Sequence, residues 1–226
     1  MNVRLRRRTL GTALAAATAT AVLAALPAGA VGASKPLNYR ITVTNLTPSD
    51  LTPIAVVAHD RRTTVWRTGR RASPGLAELA KDGGTSRLLS EARGKPGVRR
   101  TISAPRVAPR RSTTFRLRTT TASRRLTLAT MLVCTNDGFT GVSSRALPLR
   151  KNGKPGRATW TVSAYDAGAE RNTESRSHVP CLGAHGVGIS TRSSVKRHPG
   201  VSGRGDLRPA THGWGKNAAR ITIRPG

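Results

Sequence analysis

Carboxylates are the scarcest charged groups in this chain: ten Asp and Glu stand against thirty-nine Lys and Arg, giving 226 residues a formal charge of +29. Aromatic residues are nearly as scarce, with three Trp, two Tyr and two Phe. That number poorly supplies a platform for stacking single-stranded nucleic acid or sugar rings. Cysteine is limited to Cys134 and Cys181, which fits one disulfide and little else. The apolar run near the N-terminus is too short for a comfortable membrane span, and no second run exists. No EF-hand spacing and no G-x-S-x-G elbow is present. The chain has no internal repeat and no linker long enough to divide it.

The N-terminus has its own pattern. "MNVRLRRRTL" is basic, "GTALAAATATAVLAAL" is apolar and uncharged, and the small-residue runs "AGA" and "VGA" follow Pro27. This order predicts a signal peptide over 1–33, cleaved after Ala30 or Ala33. The route is Sec, with "RRTLG" a partial match to a twin-arginine signal; an uncut membrane anchor is the competing reading. Removing 1–33 takes four Arg and no acid, so residues 34–226 carry +25 and make one domain of ordinary size. Export implies an oxidising compartment. There the two cysteines are expected to pair, worth roughly 4 kcal/mol for a loop of that length, rather than stay as two buried thiols. The predicted location is therefore secreted, extracellular.

A charge of +25 points to polyanions, but the arginines are scattered, densest around Arg70 and from Gly97 to Arg118. A solvated basic surface with nonspecific polyanion binding accounts for them.

Residues 34–226 read as β-rich. "NYRITVTNLT" alternates apolar and polar residues. "LTPIAVVAHD" reads as a buried second strand and "TTVWRTG" as a short third. "ASPGLAELAKDGGTSRLLSEARGKPG" breaks the pattern, with Ser73-Pro74 as a helix start and Gly83-Gly84 as a stop, so one or two short helices are expected near 74–92. Strands return at "VRRTISA", "STTFRLRT", "RLTLATMLVCT" and "ATWTVSAYD", the last with Trp160, Val162 and Ala164 on one face; "AARITIRPG" closes the chain. Residues 171–212 read as long loops. About eight strands with Gly/Pro/Ser-rich connections predict an all-β, antiparallel β-sandwich with a short helical insertion.

Against this basic background, "YDAGAERNTE" gathers Asp166, Glu170 and Glu174, while Asp137 follows the central apolar strand in "CTNDGFTG". Two strand ends at one rim of a sandwich would bring Asp137, Asp166 and Glu170 together. Three close carboxylates repel unless a cation sits between them or a proton is taken up, and an all-oxygen set suits calcium. Alternatives stay open. Asp166 can cap a short helix, Glu170 and Glu174 can pair with Arg171 or Arg176, and Asp137 can sit in an ordinary Asn-Asp-Gly turn.

Other constellations are weaker. His59-Asp60 is a catalytic dyad without a nucleophile motif. His178, Cys181 and His185 have zinc- or copper-like spacing, against which disulfide formation competes. Arg204-Gly205-Asp206 is a three-residue adhesion motif in a Gly/Arg-rich loop. Asp137 with Asp166 as paired hydrolytic carboxylates would need an apolar cleft to raise one pKa.

Several segments together resemble the spondin domain, and more narrowly its secreted bacterial members: "YRITVTNLTPSDLTP", "ASPGLAELAKDG", "LATMLVCTNDGFTG", "AYDAGAERNTE" and "HGWGKNAARITI". The resemblance runs from about Asn38 to Ile223. It implies a C2-like β-sandwich binding one calcium ion, with Asp137, Asp166 and Glu170 matching the family's ligand positions; Asp137 and Asp166 are 29 residues apart. Glu170 stands where animal members have aspartate, and Gly138 where they have a large aromatic. A Cys134–Cys181 bond would tie together the two segments that hold the ion. The expected protein is a secreted, calcium-binding, non-enzymatic domain acting in cell-surface or matrix adhesion and recognition, its partner unknown. The alternatives are a secreted cationic polyanion-binding protein and, more distantly, a secreted hydrolase using the carboxylate cluster.

Overall fold

The computed structural model describes residues 34–184 and 188–226, together with Met1. The predicted signal peptide lies outside the described residues. From Ser34 to Gly226 the chain forms one compact unit.

Two antiparallel sheets stack as the expected sandwich. The smaller holds β4 (Ser112–Thr120), β1 (Pro36–Asn45), β10 (Ala219–Pro225) and β7 (Ala158–Val162), in that order. The larger holds β3 (Val98–Ala104), β2 (Ile54–His59), β5 (Arg125–Met131), β6 (Gly138–Ala146), β8 (Ala164–Asp166) and β9 (Lys196–Arg197). In β1 the alternation read from sequence holds: Leu37, Tyr39, Ile41 and Val43 are buried between the sheets while the residues between them face outward.

β2 is buried throughout because it serves two cores. Ile54, Val56 and Ala58 point into the inter-sheet core, and Ala55 and Val57 into a second layer. That layer is the predicted helical insertion, α1 (Pro74–Asp82) and α2 (Ser86–Arg93), which covers the outer face of the larger sheet with Leu76, Leu79, Leu88 and Ala92. Ser73 caps α1 by accepting from Leu76 N–H, and Gly83 ends it in the left-handed conformation at φ 75°.

Three expectations are corrected. "TTVWRTG" is not a strand: Val65 and Trp66 pack into the helical layer from an irregular segment, and Trp66 Nε1 donates to Leu128 O at 3.2 Å. "ATWTVSAYD" is not one strand: the chain leaves the smaller sheet after Val162 and enters the larger at Ala164, keeping Trp160, Val162 and Ala164 buried. "GFTGVSSRA", unmarked in the sequence, is β6, a central strand of the larger sheet.

Candidate metal centre

The rim where β5 hands over to β6 carries the first acid. After Met131 the chain turns through Leu132–Asp137. Thr135 Oγ1 donates to Leu132 O at 2.6 Å and accepts from Gly138 N–H at 2.8 Å. A Cβ at Gly138 would lie 2.5 Å from Thr135 Oγ1, so this tight turn leaves no room for a larger residue there. β8 pairs with β6 so that Gly138 stands opposite Asp166. Asp137 and Asp166 thus end up as neighbours at one rim, as expected from two adjoining strand ends.

Both aspartates are buried, at 0% and 2% exposure. Asp137 Oδ2 accepts from Ala169 N–H at 2.6 Å and Glu170 N–H at 2.9 Å. Asp137 Oδ1 is buried without a hydrogen-bond partner. Burial pushes the Asp137 carboxyl up to about 6, helped by the negative charge of Asp166 and opposed by the two backbone N–H donors. Asp166 is better supplied. Its Oδ1 accepts from Gly168 N–H at 2.7 Å, its Oδ2 accepts from Asn172 Nδ2 at 2.8 Å, and Lys196 Nζ lies 3.6 Å from Oδ2.

Glu170 joins the rim through its backbone N–H, and its negative charge adds to the rise at Asp137. Its carboxylate is engaged by the Gly188 backbone N–H, with Lys81 Nζ at 4.0 Å. Burial raises its pKa and Lys81 opposes the rise. Among the described residues, no three His, Cys, Asp or Glu side chains are grouped to hold a metal. Asp137 and Asp166 are therefore brought together, while the Glu170 carboxylate is engaged by Gly188 and Lys81. No helix forms over "AGAERNTES" for Asp166 to cap.

Glu174 has a separate task. Its backbone is left-handed at φ 54°. Its carboxylate accepts from the N–H groups of Ser202, Gly203 and Arg204 at 2.5, 2.8 and 3.2 Å. This concave run of donors holds Glu174 charged and lowers its pKa against the cost of burial. The Arg204-Gly205-Asp206 tripeptide is part of the loop so anchored, and Asp206 Oδ2 accepts from Arg176 N–H at 2.6 Å.

The remaining candidates resolve simply. Cys134 and Cys181 form a disulfide across 47 residues, packed beside Val179 and Leu207, so Cys181 is not a metal thiolate. His178 Nδ1 pairs with Thr173 Oγ1 at 3.0 Å, and His185 lies outside the described residues. His59 is buried. Its Nδ1 donates to the Asp60 carbonyl at 2.7 Å, which leaves Nε2 to accept from Thr127 Oγ1 at 2.9 Å. The Asp60 carboxylate instead accepts from Arg62 and Thr63 N–H. The pair is a strand-end lock, not a dyad.

Sequence reading missed Asn136, Lys81 and Lys196. Asn136 Oδ1 accepts from Thr173 N–H at 3.1 Å and Glu174 N–H at 3.4 Å, clamping the acidic segment to the β5–β6 turn. Asn136 could have been suspected from its place in "TNDG". Nothing in the spacing of the lysines marks them.

The family model described as Spondin_N matches residues 38–191, about two thirds of the chain. The match contains the β5–β6 turn and the acidic segment; it stops before β10, so "HGWGKNAARITI" lies beyond it. No curated protein matches the chain. No helix among the described residues is long and apolar enough to cross a membrane.

Proposed function

The chain belongs to the Spondin_N family, and from that premise we propose that it is an exported, non-enzymatic recognition domain whose rim holds one calcium ion. Asp137 and Asp166 would bind the ion directly. Glu170 would complete the acidic set by exchanging its contacts with Gly188 and Lys81 for the ion. Calcium takes six to eight oxygens, so backbone carbonyls and water supply the remainder.

The observation that carries this reading is the Asp137 carboxylate, fully buried beside a second aspartate, with Oδ1 unpartnered. A buried anionic oxygen without a donor costs free energy that a cation at that position would repay. The ion's part is structural: it would neutralise the rim and fix the β5–β6 turn against the 167–174 segment, to which Asn136 already clamps it, while the Cys134–Cys181 bond ties the same turn to the chain just beyond. A firm rim suits the presentation of a binding surface in surface or matrix adhesion.

Thermal unfolding with calcium and with a chelator tests the reading. The melting temperature is expected to rise with calcium through ligand linkage, and the rise should vanish in Asp166→Asn. An unchanged calcium response in that variant removes the site assignment.

A further inference from the structure

Apart from the rim, the protein has a second built feature. A cleft of about 640 Å³ opens where the chain passes from β7 in one sheet to β8 in the other. Three arginines line it, Arg67, Arg125 and Arg145, and no acid does. Among the described residues none of the three forms an ion pair. Between the cations the walls carry hydroxyls: Thr68, Ser143, Ser144, Thr161 and Ser163.

The arginines are placed, not merely present. β6 bulges against β5: Val142 pairs with Leu128 and Arg145 with Leu126, so Ser143 and Ser144 together oppose Thr127. The bulge puts Ser144 in the left-handed region at φ 48°, a conformation that costs free energy for a non-glycine residue. Two bonds hold it there: Ser144 N–H donates to Thr127 Oγ1 at 3.0 Å, and Arg125 Nη1 donates to Ser144 O at 3.1 Å. Ser143 Oγ donates to Trp66 O. Bulges re-aim side chains beside functional sites. Here the residue after the bulge is Arg145, whose guanidinium carbon lies over the Trp160 ring, 4.5 Å from its centroid.

We propose that this cleft is a binding site for an anionic saccharide, one carrying sulfate or carboxylate groups. Guanidinium forks match such groups in a bidentate manner, and interleaved hydroxyls match a ligand that is itself hydroxylated. The volume is that of a small-ligand site and accommodates a short oligosaccharide segment. None of the rim acids lines the cleft.

The test is calorimetric titration of the full protein with a heparin-derived tetrasaccharide at about 0.15 M salt. Arg67 is exposed and makes no ion pair, so Arg67→Ala should fold normally; it is expected to weaken binding about tenfold. Adding Arg145→Ala should bring the loss to about a hundredfold. Arg116→Ala with Arg118→Ala removes the same charge from the exposed face of β4, the edge of the smaller sheet opposite β7, and should change affinity less than about twofold, because screening weakens charges at that distance. Equal losses from the two pairs would overturn the proposal, because binding would then follow net charge alone. So would a DNA duplex that competes as well as the sugar, since the hydroxyls would then contribute nothing.

Discussion

Asp137→Asn should make the calcium-free protein more stable and the calcium-loaded protein less so. The first half follows from the geometry. The wild-type carboxylate is buried, with one oxygen served by Ala169 and Glu170 N–H and the other by nothing. A carboxyl raised from 3.8 to about 6 carries a penalty of about 3 kcal/mol on its charged form at neutral pH. Asparagine keeps an oxygen for the two backbone donors and places an amide group where Oδ1 was, beside the Asp166 carboxylate. Part of the gain is lost because the two donors exchange a charged acceptor for a neutral one. A net gain of about 1–2 kcal/mol remains, or roughly 2–8 °C for a domain of this size. The assay is thermal unfolding in chelator and in calcium, wild type beside variant. In chelator the variant should melt higher; in calcium the order should reverse, because the variant has lost a ligand. A variant several degrees less stable than wild type in chelator would rule out a penalty on the charged carboxylate. It would mean that the charged carboxylate is already satisfied by its backbone donors and wants no cation.

Other outcomes follow from the same physics. Glu174→Ala should cost roughly 1–3 kcal/mol, since it removes the charged acceptor of the Ser202, Gly203 and Arg204 N–H groups; hydrogen exchange should show the 199–207 loop losing protection first. Reducing the Cys134–Cys181 bond should cost roughly 4 kcal/mol in urea unfolding, given its 47-residue separation. His59 should make stability fall with acidification. Burial lowers its pKa below 6.5, so below that pH the unfolded chain binds a proton that the folded chain refuses, and unfolding is favoured. His59→Asn should flatten this part of the slope in urea midpoints compared between about pH 7.5 and about pH 5.5.

What was legible in the sequence was whatever a period or a punctuation mark records. The alternation of β1 and β10, the Ser73-Pro74 start of α1 and the unbroken run of β2 each have a local cause. β6 was not legible because Gly138, Thr140, Gly141, Ser143 and Ser144 read as loop. Its strand is imposed by pairing with β5 and β8, a tertiary effect that overrides composition. The move from β7 to β8 was hidden because burial alternates straight through Ser163 while the backbone changes sheets. "TTVWRTG" has strand composition, but its apolar side chains are spent on the helical layer.

The rim was half legible. Asp137 and Asp166 follow strands, and adjoining strands bring their ends together. The lysines could not be foreseen: Lys196 comes from a two-residue strand after an irregular segment, and Lys81 from the end of a helix on the sheet's outer face. Glu170 shares the acidic segment with Asp166, but which way its carboxylate turns depends on Gly188, eighteen residues on.

The most direct measurement is a calcium titration of the chelator-treated protein by calorimetry, with magnesium and the Asp166→Asn variant as controls. A calcium-binding rim predicts saturable binding of one calcium ion per chain, no comparable binding of magnesium, and loss of the signal in the variant. No saturable heat with calcium, or equal heat in wild type and variant, would contradict it and leave the rim held by Lys81, Lys196 and Asn136 alone.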